Sequence, residues 1–253
     1  MEKIILNKVA DITVLFWIMK IIATTLGETL GDYIAQTLAL GYTWGILITL
    51  IFFVVVLVIQ LYAKKYIPLY FWLVIIATTT LGTEISDFMD RSLGLGYTYG
   101  SLILFTGLLA ILLIWYSNYK NLQVYPIIEK KKELFFWTAV LFSNSLGTAF
   151  GDYLGDVAGL SYLQGALITA SIIAVVILLH YFTKLNQIFL FWIAFVFTRP
   201  FGATFGDFLT KPRDNGGMDL GTLPASLISI VLISILIYIS HKKHHQKMMK
   251  ESL

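Results

Sequence analysis

Eight long apolar stretches alternate with short polar ones along the chain. Four of them, at 44–63, 100–119, 163–183 and 220–240, carry no charged residue. Each has about 20 residues, enough to cross a ~30 Å hydrocarbon core as a helix. The other four, at 12–27, 66–83, 134–151 and 185–206, are also apolar, with Lys20 and Arg199 as their only charges. Membrane barrels instead use strands of ~10 residues with alternating polarity, and no such alternation is present. The pattern predicts an all-α integral membrane protein with eight transmembrane helices.

The stretches belong to one unit written four times. The copies read Phe16-Trp17 to Gly27 and Asp32, Phe71-Trp72 to Gly82 and Asp87, Phe136-Trp137 to Gly147 and Asp152, and Phe191-Trp192 to Gly202 and Asp207. Trp-to-Gly and Gly-to-Asp spacings are constant, while successive copies are offset by 55, 65 and 55 residues. We read 1–253 as a single membrane domain with repeats at 12–63, 66–119, 134–183 and 187–240. Two helices per repeat make successive repeats parallel, related by an axis along the membrane normal. The expected arrangement is pseudo-fourfold or nested twofold, and the long connection 117–133 joins two halves.

Composition agrees: 58% of residues are hydrophobic and 13% charged, against roughly a quarter charged in soluble domains. Cysteine is absent, which rules out disulfides and thiolate metal sites. The first apolar stretch holds a complete repeat motif, so it is read as a membrane helix rather than a cleaved signal peptide. Most lysines lie at the termini and between repeats, while the links inside repeats hold only Arg91, Lys211 and Arg213. The positive-inside rule then predicts cytoplasmic termini in a bacterial inner membrane. The basic tail 241–250 is read as a topology and lipid anchor, not as a nucleic-acid site. The four tryptophans fit interface anchoring or packing, and 211–219 reads as a flexible outer loop.

An acid in an apolar segment is expensive and points to function. Glu28 and Asp32 are four apart and Glu84 and Asp87 three apart, so each pair shares a helical face. Repeats three and four keep Asp152 and Asp207 but lack the first acid. Hydroxyls of Thr24, Thr25, Thr79, Thr80 and Ser145 precede the acids by one to two turns. This all-oxygen set suits hard cations. His180, the lone histidine away from the tail, is read as packing. Lys20 and Arg199 stand eight residues before Glu28 and Asp207 and are candidates to neutralise them. Glycines at four-residue spacing around the acids allow close helix packing or a locally broken helix that exposes carbonyls. Twenty residues from Ile12 to Asp32 span ~30 Å, which sets the aspartates near the outer mouth. Asp90 and Asp156 are expected on a solvated outer face.

The stretch Thr25-Leu26-Gly27-Glu28-Thr29-Leu30-Gly31-Asp32 resembles the bacterial membrane-anchored proteins built from a four-fold repeat of unknown function. The resemblance covers the whole chain and implies a multi-spanning inner-membrane protein. A second likeness, in acidic-repeat logic, is to the manganese/calcium–proton exchangers with their Glu-hydrophobic-Gly-Asp motif. Here Glu28 and Gly31-Asp32 are spaced one residue wider, and repeats three and four lack the Glu. The expected function is cation transport, as a proton-coupled exporter of a hard divalent metal such as manganese. Asp32, Asp87, Asp152, Asp207, Glu28 and Glu84 are the expected ligands, with Thr25, Thr80, Ser145, Lys20 and Arg199 in support. The alternatives are an acidic-ring channel and a non-transporting scaffold or sensor with structural acids. No enzymatic motif is present, and no cofactor is expected beyond a transported cation. The expected partners are membrane lipids and an inorganic cation; homo-oligomerisation stays open.

Overall fold

The computed structural model describes residues 7–251. They form eight long helices: α1 Val14–Asp32, α2 Gly41–Tyr62, α3 Pro68–Asp87, α4 Gly96–Tyr119, α5 Lys130–Asp152, α6 Tyr162–Phe182, α7 Gln187–Thr210 and α8 Thr222–Glu251. All eight are long and apolar enough to cross a membrane, and no strand occurs among the described residues. Local signals start them. Thr13 accepts the Phe16 amide at 3.3 Å in front of α1. Pro68 opens α3, where its missing N–H costs nothing. Ser161 and Gln164 form a capping box on α6, and Asn186 caps α7.

The helices sort into two layers. The first helix of every repeat (α1, α3, α5, α7) is 61–78% buried over its apolar window, against 22–28% for α2, α4, α6 and α8. The four inner helices form a closed ring in which α1 packs on α3, α3 on α5, α5 on α7 and α7 on α1. Each outer helix packs on the inner helix of the following repeat: α2 on α3, α4 on α5, α6 on α7, and α8 back on α1. The repeats are therefore interlocked around the ring. The outer helices turn apolar side chains outward, among them Val55, Leu113, Leu167 and Val231.

Glycines set the spacing of the ring. A side chain at Gly27 would overlap Thr79, one at Gly147 would overlap Arg199, and one at Gly202 would overlap Thr24. At Gly82 a Cβ would lie 2.9 Å from the Ser145 amide nitrogen. Close approach lets threonines bond across helices: Thr79 Oγ1 donates to Ala23 O, Thr83 to Gly27 O and Thr24 to Thr198 O, at 3.1–3.2 Å. Every helix continues unbroken through these glycines, so close packing is their role and the broken-helix expectation is not met. The irregularity comes later. In the first three repeats the aspartate ends the α-helix and a π-helical turn follows, at Tyr33–Thr37, Phe88–Ser92 and Tyr153–Val157.

Candidate functional site

One stripe of residues four apart runs up each inner helix toward the ring axis. It reads Phe16, Lys20, Thr24, Glu28, Asp32 on α1 and Phe71, Ile75, Thr79, Thr83, Asp87 on α3. On α5 it is Phe136, Val140, Asn144, Thr148, Asp152, and on α7 Phe191, Phe195, Arg199, Ala203, Asp207. All twenty residues are buried. Residues four apart share a helical face, so equivalent positions stack into layers.

The bottom layer is aromatic. Ring centroids of Phe16 and Phe71, Phe71 and Phe136, and Phe16 and Phe191 lie 6.4–6.5 Å apart. Trp72, Trp137 and Trp192 are buried beside them, so packing is the role of these tryptophans. Above this plug, Lys20 Nζ bonds Asn144 Oδ1 at 3.0 Å and lies 4.2 Å from the Phe195 ring centre. Lys20 does not reach Glu28, because eight residues of helix separate their levels by ~12 Å.

Arg199 is the hub of the next layers. Its Nη2 reaches Glu28 Oε2 at 2.9 Å, Thr148 Oγ1 at 2.6 Å and Thr83 Oγ1 at 2.5 Å. One guanidinium thus joins four repeats. It pairs with Glu28 on the neighbouring helix, one layer up, and not with Asp207 on its own.

The four aspartates crown the stripe, and two basic residues bridge them. Lys211 Nζ lies 2.6 Å from Asp32 Oδ2 and 3.3 Å from Asp207 Oδ1. Arg91 lies 3.3 Å from Asp152 Oδ2 and 3.8 Å from Asp87 Oδ1. Arg91 also donates to the Tyr42 and Tyr97 hydroxyls at 2.9 and 3.2 Å. Each base stands four residues after its own repeat's aspartate and reaches the aspartate of the next repeat. The two bridges therefore both tie one half of the chain to the other. In repeats one and three the same position holds Gln36, which bonds Asp32 at 2.6 Å, and the exposed Asp156. Burial alone would disfavour the Lys211 ammonium, but Asp207 and Asp32 outweigh it and hold the group well above the usual lysine range.

Of the six expected acids, Glu28, Asp32 and Asp207 come together, each with a carboxylate oxygen within 4.8 Å of the others. Asp87 and Asp152 meet through Arg91. Glu84 sits apart, between α3 and α2, its carboxylate packed against Gly45 with no hydrogen-bond partner among the described residues. The hydroxyls of Thr80 and Ser145 bond back to their own helices, and Thr25 Oγ1 is buried without a partner among the described residues. Asp90, expected on the solvated face, is buried against Gly100 and accepts from Ser86 at 3.4 Å. A cavity of about 400 Å³ lies at the acidic end, bordered by Arg91, Tyr97, Asp152, Asp156, Asp207 and Lys211 among others.

The acids and Arg199 were legible from the repeat, whereas Arg91 and Lys211 were missed as their partners. The signal was the basic residue four after the aspartate in repeats two and four. The model of a Repeat of Unknown Function (DUF347) matches the chain four times, at residues 15–66, 70–120, 135–186 and 190–245. No curated protein and no solved structure matches it.

Proposed function

The chain belongs to the family built from the Repeat of Unknown Function (DUF347), and from its own geometry we propose that it is a multi-pass inner-membrane protein that transports cations. The termini lie in the cytoplasm and the aspartate crown faces the outer side, by the placement of the lysines. The outward apolar faces of α2, α4, α6 and α8 contact lipid. The protein is a transporter and not an enzyme, and its substrate is a hard cation such as manganese, moved outward in exchange for protons. Its partners are membrane lipids and that ion.

One observation carries this reading: six buried repeat carboxylates stand against the four bases Lys20, Arg91, Arg199 and Lys211, and three of the acids crowd within 4.8 Å. Such an excess of buried negative charge needs protons or a cation to balance it. The oxygen donors of Glu28, Asp32 and Asp207 suit a hard ion, and metal entry would displace protons. An acidic-ring channel fits less well, because Arg199, Lys20 and the phenylalanine plug fill the axis.

A second reading is favoured by the ion pairs themselves. Glu28, Asp32, Asp87, Asp152 and Asp207 each have a basic partner within 4.0 Å, as purely structural acids of a scaffold would. Asp32→Asn separates the two. In liposomes with an imposed pH gradient, wild-type protein should move manganese and the folded variant should lose at least tenfold in rate. Equal flux in both would sink the transport site. Failure of the variant to fold would favour the scaffold.

A further inference from the structure

The two bridges across the aspartate crown are not alike. Arg91 is engaged on every side, by Asp87, Asp152 and the hydroxyls of Tyr42 and Tyr97. Among the described residues the Lys211 ammonium is held by two carboxylates and by no hydroxyl, although its side chain is 23% exposed against 33% for Arg91. It is the first residue after α7 and opens the connection 211–221, which is longer than the corresponding links of the other repeats. A lysine ammonium is a compact point charge on a flexible four-carbon stem, whereas a guanidinium is a rigid fork.

Lys211 also occupies a place that a free cation would want. Its two carboxylates, Asp32 and Asp207, crowd together with Glu28. Asp207 Oδ1 is buried and has no hydrogen-bond partner among the described residues, although the ammonium is 3.3 Å away. The ammonium therefore neutralises the group without using its donor capacity fully. A metal ion and the ammonium cannot share the same oxygens, because like charges a few ångströms apart repel strongly in a low-dielectric site.

We propose that Lys211 is the resident counter-ion of Asp32 and Asp207 in the Glu28–Asp32–Asp207 cluster, whose Glu28 is held by Arg199, and that this tethered ammonium is displaced by an entering cation. Displacement releases the bridge between repeats four and one. Occupancy of the cluster and closure of the crown on that side then exclude each other, while the Arg91 bridge stays shut. This inference rests on the reading of the axial carboxylates as a cation site. Lys211 is a positioning and competing group, and no ligand.

The test uses the full chain in lipid nanodiscs, with manganese chloride titrated by calorimetry into wild type, Lys211→Met and Lys211→Arg. A second readout follows acetylation of Lys211 in the wild type by mass spectrometry, with and without manganese, against the other lysines as internal standards. Displacement predicts that Lys211→Met binds manganese at least tenfold tighter than wild type and that Lys211→Arg does not. It also predicts that Lys211 is acetylated several-fold faster when manganese is bound. Affinity in Lys211→Met equal to or below wild type overturns the proposal, as does unchanged acetylation at saturating manganese or no binding by any form. The acetylation readout needs no variant to fold. Asp32-dependent flux without tighter binding in Lys211→Met would remove this inference and leave the transport reading. Tighter binding without flux would do the reverse.

Discussion

Arg199 shows how a single residue can organise an apolar protein. It is fully buried, and its hydrogen bonds reach Glu28, Thr83 and Thr148 on three other inner helices. Taking one partner from a buried ion pair leaves an uncompensated charge, at a cost of about 3–5 kcal/mol. Arg199→Met should therefore lower stability by that amount, and the double variant Glu28→Gln with Arg199→Met should recover much of it. Thermal unfolding of the four forms, read as a double-mutant cycle, checks this. A double variant as unstable as the single would mean that Glu28 is not the main partner. The charge of Arg199 in a membrane segment was visible along the sequence. Its partner was not, because eight residues of helix carry Asp207 ~12 Å away and the neighbouring helix supplies a nearer acid.

At the scale of the element, the inner and outer helices obey different rules. Inner helices trade side-chain bulk for approach, with small residues where a neighbour's stripe passes. Outer helices are apolar nearly all round, and only a narrow face is buried; on α2 it holds Gly45, Thr49, Phe53, Val56 and Gln60. Val55 is 52% exposed while Val56 is 6% exposed. If α2 faces lipid, Val55→Asp should cost about 2.5–3.5 kcal/mol of insertion and shift the segment out of the membrane in a glycosylation-mapping assay. Unchanged insertion would argue that this face does not meet lipid. The sequence announced the helices through length and hydropathy, and the glycine spacing announced tight packing. It did not announce the π turns after Asp32, Asp87 and Asp152. A π turn adds a residue to one turn of helix, a local change that hydrophobic periodicity does not encode.

The whole molecule is a ring that no single repeat can close. Each outer helix covers the inner helix of the next repeat, and α8 returns to cover α1. A half containing α1–α4 leaves α4 without α5 and α1 without α7 and α8. Chains cut within 120–126 should each be degraded or aggregate when expressed alone, and should restore a stable complex when expressed together. Co-purification of the halves and the melting temperature of the complex test this. Two halves that are each stable and monodisperse would show that the interlock is dispensable. The same ring places Arg91 and Lys211 so that each ties one half to the other.

By itself the sequence determined the class of the protein: eight apolar helices, four repeats, and acids at one register in each. Those features follow from hydropathy, helix length and spacing, which act along one chain segment. Only the tertiary structure decided which charge meets which. It set Lys20 on Asn144, Arg199 on Glu28, Arg91 between Asp87 and Asp152, and Lys211 between Asp32 and Asp207. It also set Glu84 apart from the other acids, against Gly45. The physical reason is that an ion pair forms across a few ångströms of space, and a helical stripe brings residues from different repeats closer than residues of its own helix two turns away.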